Sequence, residues 1–245
     1  KKNLFQYIKS FIFLSKIKYD FIHIHQNEKS WLPLILSTFF LKGSKKIVHN
    51  HTNLLNGSPI QYNFEKKICN YFSDLKVACS YEAGDTLFDR KNFKVIYNSI
   101  NYDNFKFNYD QRILIRRKYN LKRNCFIIGC IARFEHQKNY DFIIKIATHL
   151  SEQNLKIKFI LIGDGNLKSK YLKKIKNKNL DKYFIVLGTM SNVFKFYNAF
   201  DLFILPSKYE GLGIVAIESQ FNNLPTFLSN YVPKEVSVLS NSLIL

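Results

Sequence analysis

Short apolar runs rich in Ile, Val and Phe alternate along this chain with longer segments in which apolar residues recur at helical spacing. A strand buried on both faces reads as a continuous apolar run, and a helix lying on a sheet buries one stripe. The alternation therefore predicts repeated βαβ units around parallel sheets. Strands are expected at 19–25, 46–51, 75–80 and 94–98, and in a second series at 125–132, 158–162, 184–187, 202–206 and 226–228. Between the series, 101–124 is polar and charged, with a helix expected over about 110–119. We place the boundary between two domains there, giving 1–104 and 105–245. Two such domains leave a cleft between them, and open α/β sheets bind ligands beyond the carboxyl ends of their strands. Residues that directly follow strands are thus the first candidates for chemistry. The chain opens on a predicted helix and stops at Leu245 inside an apolar run, so both domains are expected to be incomplete and the chain a fragment.

Composition narrows the class more than the function. With 245 residues and 47% hydrophobic content there is material for one large or two ordinary cores. The formal charge of +19 suits an anionic partner, whether nucleic acid, an acidic membrane surface or a phosphorylated small molecule. Much of that excess is lysine scattered among Asn, Ile, Phe and Tyr, which reads as solvated faces. The densest run, 168–182, carries Leu167, Tyr171, Leu172 and Ile175 at the spacing of a surface helix with one buried stripe. Cys69, Cys79, Cys125 and Cys130 form no C-x-x-C pair and nothing at the start resembles a secretory signal. A disulfide framework is therefore not expected, and a reducing cytoplasm fits best. The longest uncharged apolar stretch, 31–41, is about half the roughly 20 residues a spanning helix needs, so any membrane contact is expected to be peripheral.

Two segments after predicted strands carry candidate chemistry. ARFEHQKN places Arg133 and Lys138 in one strand-to-helix connection, where a planar fork and a compact point charge could grip a diphosphate. Taken alone, the pair also reads as ordinary surface charge. SKYEGLGIVAIES places Glu210 before a glycine-rich turn and Glu218 in the helix that follows. Gly211 and Gly213 allow close backbone approach to a ligand, the helix start offers unpaired amides, and a carboxylate accepts paired hydroxyls well. The alternative makes Glu210 a loop charge and Glu218 a helix-surface residue.

EGLGIVAIE resembles the E-x7-E motif of retaining glycosyltransferases of family 4, the glycosyltransferase group 1 proteins of GT-B fold. VIYNSIN, IARFEHQKN, FILIGDGNL, FIVLGTMSNV, FDLFILPSKYEGL and LPTFLSN follow in that family's order and spacing. The resemblance covers about 45–236 and is closest to capsular and exopolysaccharide enzymes. It implies two Rossmann-like domains facing each other across a cleft, an acceptor-side domain first and a nucleotide-sugar-binding domain second. It further implies that Arg133 and Lys138 hold the donor diphosphate and Glu218 the nucleotide ribose. Glu210 would contact the transferred sugar, backbone groups from Gly211, Leu212, Gly213 and Ile214 would complete the pocket, and Thr189 and Met190 would lie near the base. His51, in HNHTN, matches the family residue facing the donor sugar. Ser99 stands where the family usually has Gly, Cys130 where it often has Gly or Val, and the family's early glycine-rich loop has no counterpart here.

The implied reaction moves a sugar from a nucleoside diphosphate sugar to a hydroxyl of a glycan or lipid-linked acceptor, with retention and without a cofactor or metal. The acceptor type suggests peripheral contact with an anionic leaflet at the inner face of the cell membrane. Two other readings stand beside it. A nucleotide-sugar epimerase also uses two facing α/β domains, and a basic nucleic-acid-binding protein would need a basic stripe with exposed aromatics, which the sequence lacks. His23, His25, His49 and His51 raise a separate question, because alternation puts each pair on one face of its strand and four imidazoles could bind zinc. One histidine contacting sugar, with the others packed or solvated, requires no ion and is the preferred expectation.

Overall fold

The computed structural model describes residues 4–26, 31–53, 59–89, 92–153 and 155–244. All nine predicted strands are present, and the chain divides into two compact units, Lys1–Asn98 and Ser99–Leu245. The first unit contains α1 (Leu4–Leu14), β1 (Phe21–Gln26), α2 (Trp31–Phe40), β2 (Lys45–Asn50), α3 (Pro59–Phe72), β3 (Leu75–Ala78), α4 (Tyr81–Leu87) and β4 (Lys94–Val95). Its strands form one parallel sheet in the order β1-β2-β3-β4. The second contains α5 (Tyr109–Lys118), β5 (Phe126–Ile131), α6 (Tyr140–Glu152), β6 (Ile157–Ile162), α7 (Lys168–Asn177), β7 (Phe184–Leu187), α8 (Phe194–Tyr197), β8 (Leu202–Leu205), α9 (Ile214–Phe221), β9 (Thr226–Leu228) and β10 (Ser242–Ile244). These strands form a parallel sheet in the order β10-β9-β8-β5-β6-β7. Both units are Rossmann-like.

The strand order of the second sheet reverses at β5, which pairs with β6 on one side and β8 on the other. Connections leaving β5 and β8 diverge there, which opens the crevice where doubly wound sheets bind ligands. Under it, Phe134 and Tyr140 stack at 4.2 Å between ring centroids, and both are buried with Cys130, Ile143, Phe159 and Tyr171. Each such side chain contributes about 1.5–3 kcal/mol of apolar burial. Residues 99–124 belong to this unit, because Phe105 is buried against Tyr197 and its carbonyl accepts from Asn222 Nδ2 at 2.9 Å. Helix α5 is clamped by Asp201, whose two carboxylate oxygens accept from Arg112 Nη2 and Arg116 Nη2 at 2.5 Å each, while Oδ2 also takes the Ile127 amide at 2.7 Å.

Three details differ from the sequence reading. The lysine-rich helix stops at Asn177 instead of running to 182, because a short 3-10 turn at Asp181–Tyr183 delivers Tyr183 into the core. Leu172 is exposed at 41%, so the buried stripe of that helix is Tyr171 and Ile175. A tenth strand, β10, pairs in parallel with β9. The four cysteines are free thiols, three of them buried. Among the described residues no helix is long and apolar enough to cross a membrane.

Candidate functional site

Arg133 and Lys138 lie in the connection from β5 to α6, and Glu210 in the connection from β8 to α9, so both reach the crevice where the strand order reverses. The β5 connection is shaped by two glycines of the 163–165 turn. Gly163 (φ +145°) and Gly165 (φ +155°) occupy backbone conformations that side chains disfavour, and added Cβ atoms would lie 2.1 Å from the Ala132 oxygen and 2.7 Å from the Phe134 oxygen. That close approach lets the Phe134 amide donate to the Asp164 carbonyl at 2.9 Å and the Leu167 amide to the Phe134 carbonyl at 3.0 Å. Asn139 adopts the left-handed conformation (φ 52°) where α6 begins, and the Lys208 amide donates to the Gln137 carbonyl at 2.8 Å, tying the two connections together.

Glu210 sits at the centre of the site. Its Oε1 accepts from Lys138 Nζ at 2.5 Å and from Ser207 Oγ at 2.6 Å, and its Oε2 accepts from Gln137 Nε2 at 3.4 Å. The Lys138 and Glu210 side chains are only 13% and 6% exposed, so this ion pair is largely removed from water. Among the described residues Lys138 donates to Glu210 alone, although an ammonium has three N–H donors. The residue expected at the diphosphate and the residue expected at the sugar are thus joined directly. Gln137 and Ser207 were not singled out, and only their adjacency to Lys138 and Glu210 in sequence hinted at their part.

The other predicted residues divide around this pair. Arg133 is 68% exposed and its Nη1 donates to Glu135 Oε1 at 2.9 Å. Gly213 (φ +83°) caps the start of α9, the turn geometry that glycine permits, and Gly211 and Leu212 are buried beside it. Glu218, one helical stretch beyond Ile214, is half-buried and its Oε2 accepts from the Tyr197 hydroxyl at 2.6 Å. It is therefore no helix-surface charge. Burial raises its carboxyl above the ordinary value, partly offset by that hydrogen bond. Tyr197, itself buried, is held protonated by burial and by the neighbouring Glu218. Thr189 and Met190 follow β7, on the side of the sheet away from β8.

In the first unit, His23 and His25 on β1 and His49 on β2 share one sheet face, with His25 and His49 in register, and His51 follows on the same side. Ring centroids lie 4.2 Å apart for His23 and His25, 4.1 Å for His49 and His51, and 5.1 Å for His25 and His51. His25 Nδ1 and His51 Nε2 are 2.8 Å apart, one donating to the other. The opposite face meets α3 and α4: Gln26 Nε2 donates to Glu65 Oε1 and Asn50 Nδ2 to the Ala83 carbonyl. Burial first, and neighbouring imidazoles second, lower the His23, His49 and His51 values, His49 to about 4.

Two Rossmann-like parallel sheets, the second with a buried carboxylate–ammonium pair at its switch point, define the GT-B class of fold. Solved structures agree: the Anabaena protein HepE, in complex with UDP-glucose, superposes with a TM-score of 0.84 at 19% identity, covering 100% of this chain and 70% of that one. The profile of glycosyl transferases group 1 matches residues 111–242, more than half of the chain, and the chain belongs to that family. The Bacillus subtilis (strain 168) protein EpsF, whose name places it among glycosyltransferases, is 31% identical over 164 residues, which is 65% of this chain and 43% of that protein. An Escherichia coli UDP-Gal:alpha-D-GlcNAc-diphosphoundecaprenol alpha-1,3-galactosyltransferase is 26% identical over 94% of this chain and 62% of its own length. The chain thus spans about two fifths to three fifths of these relatives.

Proposed function

We propose that this chain carries the donor-binding part of a glycosyltransferase that moves a sugar from a nucleoside diphosphate sugar to a hydroxyl of a glycan or lipid-linked acceptor, with retention, in surface-polysaccharide synthesis. The observation that carries the reading is the Lys138–Glu210 pair at the switch point of the second sheet. A buried ammonium with spare donors suits a diphosphate whose charge grows as the bond to the sugar breaks. Arg133, exposed in the same connection, adds a second cation to the same phosphates without requiring a metal there. Glu210, already accepting on both oxygens, is oriented for sugar hydroxyls, and Glu218 accepts from the ribose while Tyr197 fixes its direction. Backbone groups of Gly211 to Ile214 approach the sugar, and Thr189 and Met190 flank the base. His51 contacts the transferred sugar, and the departing phosphate takes the acceptor proton. The lipid-diphosphate acceptor in the name of the Escherichia coli relative supports a lipid-linked acceptor, and such an acceptor would bring the chain to the inner face of a membrane.

The test is sugar transfer from a panel of nucleotide sugars, with nucleotide binding measured in parallel. The wild-type chain should bind a nucleoside diphosphate, and Glu210→Ala should lose turnover while retaining measurable nucleotide binding. Isomerised nucleotide sugar without transfer would reassign the chain to an epimerase. Salt-sensitive binding to unrelated DNA, with no nucleotide binding, would overturn the proposal.

A further inference from the structure

The histidines of the first unit are not explained by sugar contact. One imidazole suffices for that, yet four are gathered on one face where β1 and β2 run side by side. Donor nitrogens of His23, His25 and His49 all lie within 4.8 Å of one another. His49 is only 6% exposed; the Ile96 backbone lies against its ring as a weak hydrogen-bonding partner, and no other group among the described residues meets its ring nitrogens. With one nitrogen at most engaged by the backbone, the other is left without a partner, and a buried polar group left unmet is costly. A metal ion, which accepts lone pairs from several imidazoles at once, would meet that nitrogen.

We propose that His23, His25 and His49 bind a borderline divalent transition ion of the Zn2+ class, with His51 supporting His25 from behind. Imidazole nitrogen is a ligand for this class, and three protein ligands leave a fourth position for water. Two nitrogens on one tetrahedral zinc stand about 3.4 Å apart, so modest side-chain rotation closes the present spacing. The chemistry of the outer contact agrees. With His25 Nδ1 engaged by His51 Nε2, the other nitrogen of His25 is the one left for an ion. Such a bond to the second nitrogen fixes the ring of a ligating histidine and raises its basicity. The ring planes of His23 and His49 are parallel, at an interplanar angle of 3°, with centroids 5.4 Å apart. Held in this way, β1 and β2 would be stapled at their carboxyl ends. The orientation of His51 would then depend on the ion, a consequence that rests on the sugar-contact role proposed above; the ion binding itself does not.

The experiment uses the chain stripped with a chelator and titrated with Zn2+ by calorimetry and with Co2+ by visible absorption, with thermal unfolding followed in parallel. One ion per chain is expected, with Co2+ absorption lacking the sulfur-to-metal charge-transfer band of thiolate sites and Zn2+ raising the unfolding temperature. His23→Ala and His25→Ala alter exposed residues and should fold; each should weaken binding at least about tenfold, and His51→Ala by about tenfold. His136→Ala and His149→Ala, in the second unit, should leave the affinity unchanged. Absence of stoichiometric binding to the folded wild-type chain, or wild-type affinity in folded His23→Ala and His25→Ala, would overturn the proposal. Because the readout is ion affinity, its failure leaves the glycosyltransferase reading standing, and failure of sugar transfer leaves the ion site standing.

Discussion

Two ion pairs in the second unit look alike in a distance table and differ in what surrounds them. Asp201 is held by Arg112 and Arg116 at 2.5 Å each, and Arg116 also donates to the carbonyls of Ala199, Arg123 and Cys125. Its guanidinium has its donors occupied by the protein, and the carboxylate takes a strand amide besides. Lys138 and Glu210 are as close, but among the described residues the ammonium gives only one of its three donors to the protein. The first network is closed and locks α5 to the sheet. The second is open on the cationic side, and unspent donors at a switch point are what a phosphate would use. Spare capacity, more than proximity, separates a site from a strut.

The largest effect should come from breaking the open pair. Glu210→Ala and Lys138→Ala are expected to lower sugar transfer about 100-fold to 1000-fold, measured as kcat/KM with the best donor of the panel. Breaking the closed pair should do the opposite: Asp201→Ala is expected to cost about 3–5 kcal/mol of stability by chemical unfolding, with nucleotide affinity of the folded chain unchanged. A shift in nucleotide affinity equal to that of Lys138→Ala would erase the distinction. Smaller is Gly163→Ala, which drives a Cβ into the Ala132 carbonyl. It should destabilise the second unit by about 1–3 kcal/mol and weaken nucleotide binding with it, because the β5 connection must move.

The smallest effect concerns protons. The Glu218 carboxyl titrates above its ordinary value of 4.5 because it is buried. Above 4.5 the folded state therefore holds protons that the unfolded chain has released, so the stabilising share of the neutral form is full below 4.5 and lost as pH rises through the raised value. Ligand binding runs the other way. The ionised carboxylate accepts both ribose hydroxyls, so affinity for a nucleoside diphosphate should increase with pH across the same window. Glu218→Gln should flatten that slope and weaken binding about tenfold; a slope that persists in the variant would assign the proton elsewhere.

The sheets were legible because several strands are apolar runs, such as FILI at 159–162, which an exposed loop would not carry. Glu210 and Glu218 were legible as a glycine-turn motif after such a run. The pairing of Lys138 with Glu210 was not, since the two lie 72 residues apart and only the strand order brings their connections together. Asp201 was invisible for the same reason: in FDLF it reads as the polar start of a strand, and its arginine partners sit in a segment that looked like a linker. Gly163 and Gly165 stood in a recognisable GDG turn, but their contact with the backbone at 132–134 belongs to packing and leaves no local trace. Strand β10 is three residues long and opens on Ser242, too short to show a period.

The measurement closest to the central claim is the affinity of a nucleoside diphosphate, with UDP, GDP and ADP tried in turn, for the wild-type chain and for Lys138→Met. Methionine keeps most of the aliphatic stem and removes only the ammonium, and circular dichroism checks that the fold survives. The expected result is at least a tenfold loss for the diphosphate, about 1.4 kcal/mol, with a much smaller loss for the matching nucleoside. Equal diphosphate affinity in a folded Lys138→Met chain would mean that the open donors of Lys138 hold no phosphate, and that the pair with Glu210 is a strut like the one at Asp201.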